Sequence, residues 1–191
     1  MNRIVAFIIC TFFLATGELY ALDFSADMVS SAGGQRMTGK IYVTKDKVRM
    51  DTMGTTTITR MDRNVAWVLM PQQGIYMEQP IEPEKIAGTS EKMPGEVERV
   101  SLGTETLDGM TTTKYRIVYT SNAGRASVIQ WVDKKSGIPV KTSSEDGSWV
   151  TEYKNLKLGA PDDSIFEVPA GYQKFSMPSM QDIMRSAGQG E

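Results

Sequence analysis

The stretch that decides the fold runs from Gly103 to Lys141, GTETLDGMTTTKYRIVYTSNAGRASVIQWVDKKSGIPVK. Asp108-Gly109 is the strongest short hairpin signal available, because both central residues of a type I′ turn need positive φ. The strand after it alternates, with Tyr115, Ile117 and Tyr119 on one face and Lys114, Arg116 and Thr120 on the other. Ser121-Asn122-Ala123-Gly124 turns the chain again. Ala126 to Asp133 follows, with Ile129 and Trp131 on one face and Val128, Gln130 and Val132 on the other. Lys134-Lys135-Ser136-Gly137 closes a third turn before Ile138-Pro139-Val140. This is a β-meander.

Working outward, the same grammar repeats. Six further strands are expected upstream: Phe24–Ser31, Arg36–Thr44, Lys47–Thr52, Thr55–Asp62, Val65–Met70 and Ile75–Gln79. Each is bounded by turn residues such as Gly33-Gly34, Met53-Gly54 and Gln73-Gly74. Pro80 to Glu96 breaks the pattern, and reads either as a solvated connection or as a flap. Downstream, Trp149 to Leu158 is the last long strand, and Asp162-Asp163 resembles a helix start before Ser164-Ile165-Phe166. The expected architecture is mainly β (α+β): an incomplete antiparallel β-barrel of about 10–11 strands, with short helices at its open side.

At 191 residues the chain fits one domain. Its first 21 residues read as a signal peptide. Met1-Asn2-Arg3 is a short positive start, Ile4 to Ala15 is apolar, and Leu19-Tyr20-Ala21 offers a cleavage site near Ala21. Cleavage after Gly17 is the alternative. An apolar run of 12 is short of the roughly 20 residues that span a bilayer. The expectation is therefore a periplasmic protein with residues 22–176 as its folded domain.

The net charge is −2, from 21 Lys+Arg against 23 Asp+Glu, and removing Arg3 and Glu18 leaves it unchanged. No basic face for nucleic acid is present. There is no histidine, and the single cysteine, Cys10, lies within the apolar leader. Disulfides, thiol nucleophiles, Ser-His-Asp triads and the common zinc sites all need those residues. With no phosphate-binding loop or acidic calcium loop either, the expectation is no enzyme, no catalytic residue, no metal and no cofactor.

Gly103-Thr104-Glu105-Thr106-Leu107-Asp108-Gly109, Lys114-Tyr115, Trp131-Val132-Asp133 and Gly137-Ile138-Pro139-Val140-Lys141 resemble uncharacterised periplasmic domains of the lipoprotein-carrier (LolA/LolB-like) superfamily. Thr151-Glu152-Tyr153, Asp162 to Phe166 and Val168-Pro169-Ala170-Gly171-Tyr172 extend the resemblance to about residues 22–176. It implies a half-barrel around an apolar cavity.

The expected partner is a lipid, or the acyl chain of a lipoprotein, with transient membrane contact. The alternative is a sensor or interaction module that meets an envelope protein and has a collapsed cavity. Trp67, Leu69, Met77, Tyr115, Ile117, Ile129 and Trp131 are the expected cavity lining. Of the chain's 13 methionines, 12 follow the leader, and a flexible, polarizable side chain suits a ligand of variable shape. Core filling and Cu(I) binding by thioethers are the competing readings of those methionines. In the tail, 177–191, Met180, Ile183 and Met184 recur at helical spacing and are a candidate plug for the cavity. A helix of two turns is unstable alone in water, so that stripe either docks or leaves a frayed end.

Overall fold

The computed structural model describes residues 23–82, 93, 95–121 and 124–175. The leader, most of the connection between the two halves, and the tail with Met180, Ile183 and Met184 lie outside the described residues.

Twelve strands form a single sheet: β1 Phe24–Ala32, β2 Gln35–Val43, β3 Lys47–Thr52, β4 Thr55–Arg60, β5 Val65–Met70, β6 Ile75–Pro80, β7 Glu96–Leu107, β8 Met110–Ser121, β9 Gly124–Asp133, β10 Pro139–Ser144, β11 Trp149–Leu158 and β12 Gln173–Lys174. Their order is β12-β6-β5-β4-β3-β2-β1-β11-β10-β9-β8-β7, and the two end strands do not meet. The sheet is an open, incomplete barrel. All pairings are antiparallel except β12 with β6. Two runs of hairpins, β2–β6 and β7–β11, are joined through β1, which pairs with β2 on one side and β11 on the other.

The turn chemistry explains these boundaries. Leu107 pairs with Met110 across a two-residue loop in which Asp108 has φ 47° and Gly109 φ 80°. Both lie in the left-handed region that type I′ demands. All six upstream strands form at the expected places. The short helices expected at the open side shrink to two 3-10 turns among the described residues, Met61–Arg63 and Asp163–Phe166. Pro169 and Gly171 follow the second too closely for more than one turn to grow. Asp162 caps it, accepting from the Ser164 amide at 2.8 Å.

Two buried clusters hold the sheet. One gathers Phe24, Ala26, Ile41, Val43, Ile138, Val140 and Trp131. The other sets Phe166 on Ile58, Trp67 and Leu69, with Ile165, Val168 and Tyr172 packed around it. The segment after β11 therefore lies across β3–β5 and covers one face there. Cations clasp it in place. Arg49 donates to the Ile165 carbonyl at 2.8 Å, Lys47 bonds Asp163, and Arg60, itself buried, bonds Glu167 and Asp62. Held between two carboxylates, the Arg60 guanidinium keeps its proton even more firmly than usual.

Several carboxylates titrate below their usual range. Asp62 is held down by Arg60, Asp27 by Asn155 and Lys40, Glu78 by Lys174 and Trp67, and Glu145 by Arg116 and Ser127. Asp146 is pulled down to about 2 by the Ser144 hydroxyl and by Ser148. A carboxylate depressed on folding stabilises the native state above its unfolded pKa, and that stabilisation disappears as pH falls through the native pKa. With no histidine, no side chain has an ordinary pKa between about 5 and 8. Thermal midpoints measured against pH should be nearly flat from about 5.5 to 8, then fall steadily below about pH 4.

Candidate functional site

Residues paired directly across antiparallel strands share a face, so the register assigns every side chain a side. Trp67 is opposite Ile58 on β4, and Leu69 is opposite Thr56. Both lie under Phe166, and Trp67 donates its indole N–H to Glu78 at 3.0 Å. Met77 pairs with Val68 and so faces the other way. In the second half Tyr115 pairs with Gln130, and Ile117 with Val128. Ile129 and Trp131 therefore point to the side opposite Tyr115 and Ile117.

The seven residues expected to line one cavity are divided between the two faces. Trp131 is closed off by polar neighbours. The Lys114 and Lys141 ammonium groups sit 4.8 and 5.0 Å from its ring centroid, and Glu105 accepts its indole N–H at 2.8 Å. Ile117 is completely buried. Trp67 and Leu69 are core beneath the segment after β11. Among the seven, Met77 and Tyr115 are half-buried on one common face, Met77 on β6 and Tyr115 on β8.

That common face carries the site. Following the register from β1 to β6 gives one row, Ala26, Ile41, Met50, Thr57, Val68 and Met77. Beside it on the same face run Val48, Thr59 and Ala66. Met50, Val68 and Met77 are half-buried, and none belongs to a buried cluster among the described residues. The segment that covers Trp67 lies on the reverse side, so this apolar face is uncovered by it.

Across the other half the same face changes character. The row there is Ser101, Tyr115, Gln130, Thr142, Thr151 and Ser30, one residue from each of β7, β8, β9, β10, β11 and β1. Ser30 and Thr151 join hydroxyls at 3.0 Å, and Arg99 stacks 4.8 Å from the Tyr115 ring centroid. An apolar surface and a line of neutral hydrogen-bonding groups thus share one side of the sheet. Sequence reasoning missed Gln130. Its signal was the single amide within the run Val128-Ile129-Gln130-Trp131-Val132.

Two grooves indent the surface elsewhere. One of about 410 Å³ is lined by Ser25, Asp27, Lys40, Tyr42, Asn155 and Lys157 with Ala26. It lies at the β1–β11 bulge, where Asn155 takes a φ of 52° and donates to Asp27 at 2.7 Å. The other, about 70 Å³, sits between the Asp108 turn and β10–β11. Neither is lined by any of the seven. Among the described residues no group of acidic residues is arranged to hold a metal ion, and no helix is long and apolar enough to cross a membrane.

A twelve-stranded sheet that stays open, antiparallel but for its last short strand, is an incomplete barrel. No protein-family model matches the chain, and no curated protein matches it by sequence. Among solved structures it is similar to MucB, at 15% identity and a TM-score of 0.53, over 80% of this chain and 59% of MucB. The MucA/MucB complex of Pseudomonas aeruginosa gives the same identity and TM-score, over 82% of this chain and 59% of the other. A LolA superfamily protein from Nitrosomonas europaea aligns at 12% identity with a TM-score of 0.34, over 76% of this chain and 89% of its own. At 15% identity the likeness to MucB is one of fold, and the chain spans about 59% of its length.

Proposed function

We propose that this protein is an exported, non-enzymatic binding protein that holds the apolar part of a lipid, or a lipoprotein acyl chain, against the open face of its sheet. One observation carries the reading: the half-buried row Met50, Val68 and Met77, continuous with buried Ile41, which no described segment covers. Burying each methylene of a ligand there contributes roughly 0.8 kcal/mol, so a chain of moderate length suffices for micromolar binding. Two flexible thioethers in the row let it repack around chains of different shape. The periplasm as its compartment, and cleavage near Ala21, belong to the same proposal and rest on the leader sequence.

Val68→Asp puts a charge in the middle of the row without touching either buried cluster. Wild-type protein should saturate with a fluorescently labelled fatty-acid methyl ester, and Val68→Asp should weaken binding at least tenfold with the circular dichroism still β-rich. Ile117, being fully buried, is unsuited to that test. Failure of wild-type protein to bind any such probe sinks the carrier reading.

The second reading is a protein-interaction module. It is favoured by the edge strand β7, whose outer edge pairs with no described strand and which leaves Val97, Val100 and Leu102 exposed. MucB, whose fold is similar, has been crystallised in complex with MucA.

A further inference from the structure

Gln130 lies on the same face of the sheet as the row Met50, Val68 and Met77, and it is 4% exposed. Its side-chain carbonyl Oε1 is sealed from solvent and accepts no hydrogen bond from any described residue. A buried acceptor left unpaired is costly, and native proteins rarely keep one without a use. The register sets it between Tyr115 on β8 and Thr142 on β10, both half-buried. Thr151 and Ser30 continue the row toward the apolar half of the face. None of these groups is charged. Arg99, opposite Ile117 on the same face, stacks on Tyr115 and holds Glu96 at 2.8 Å through two of its nitrogens.

From this we infer that Gln130 is the polar anchor of the site, and that the ligand is an amphiphile with an uncharged, hydrogen-bond-donating headgroup, a hydroxyl or an amide. The inference rests on the binding reading proposed above. The headgroup donates to Gln130 Oε1 within the hydroxyl row, and the chain runs toward Met50, Val68 and Met77. A carboxylate or phosphate headgroup finds an acceptor there in place of a donor and is disfavoured. A neutral ligand without a donor leaves the Gln130 oxygen as unpaired as before, and gains only its chain.

The test compares monolauroylglycerol, which carries two hydroxyls, with methyl laurate, which has the same acyl chain and no donor. Both are titrated calorimetrically below their aggregation limits into wild-type protein, Gln130→Leu and Thr142→Val. Wild-type protein is expected to prefer the monoacylglycerol by about tenfold or more. Gln130→Leu should abolish the preference, keep affinity for methyl laurate, and leave the thermal midpoint unchanged or higher, since an unsatisfied buried oxygen is removed. A purely structural amide would instead lower that midpoint. Thr142→Val, nearly isosteric and only half-buried, should reduce the preference and keeps the test alive should Gln130→Leu not fold. Equal affinities in wild-type protein, or a preference that survives Gln130→Leu, overturn the inference while the binding reading stands. If neither amphiphile binds, the binding reading itself falls.

Discussion

Phe166→Ala is expected to lower unfolding stability by about 3–5 kcal/mol, the usual range for truncating a fully buried phenylalanine. The ring is completely inaccessible and rests on Ile58, Trp67 and Leu69, side chains of β4 and β5. Its backbone belongs to a four-residue 3-10 turn, too short to follow a collapsing side chain inward without losing its other bonds. The void is therefore expected to persist. Loosening this turn also exposes Trp67 and Leu69, so the loss extends beyond one ring. Urea unfolding followed by tryptophan fluorescence reads the effect, because Trp67 reports on the same cluster. A loss under about 1 kcal/mol would mean that the segment contributes little to holding the sheet.

Arg60→Ala should cost somewhat less, about 1–3 kcal/mol, for a different reason. Its side chain is 4% exposed and bonds Asp62 at 2.7 Å and Glu167. Removing the cation leaves Asp62 without its arginine and Glu167 with Arg63 alone, at the margin of an apolar cluster. Arg60→Met, which keeps volume and removes the charge, is expected to be just as damaging while both carboxylates remain. The triple change Arg60→Met, Asp62→Leu, Glu167→Leu should recover much of the loss, since a buried ion pair often does no better than its apolar replacement. Arg63, half exposed and bonded to the same Glu167, gives the contrast. Its replacement by Ala should change stability by under about 1 kcal/mol. Because Arg60 and Phe166 hold one segment, their losses should add to less than the sum.

Strand positions were legible in the sequence because each is written between turn residues whose φ preferences are local. Asp108-Gly109 can hardly be anything but a tight hairpin turn, and it is one. The open half-barrel was legible for the same reason, being itself a pattern of turns and strand ends. The face of each strand was not. Which way Ile129 points relative to Ile117 depends on how β8 registers against β9, and a slip of one residue reverses it. The residues between them, Asn122 and Ala123, do not announce that register. Likewise Trp67 and Met77 look equivalent as apolar residues on successive strands, yet pairing of Trp67 with Glu78 sends Met77 the other way. The clasp was hidden because it joins residues about a hundred positions apart, Arg60 to Glu167 and Arg49 to Ile165. Its local trace is an arginine in a strand two residues before an aspartate.

The position of β1 has a consequence for how the sheet comes apart and comes together. Within β2–β6 and within β7–β11, each pairing joins neighbours in sequence, and loop closure is cheap. Only one long-range antiparallel pairing links the two runs, β1 with β11, across which Ser30 meets Thr151 at a separation of 121 residues. That seam is the slow, entropically expensive step, so each run can assemble by itself before the halves are stitched. It is also where the polar row passes from one half to the other. A ligand laid along that row from Gln130 toward Met50 would bridge the seam, and would act as a staple across the line where the molecule divides.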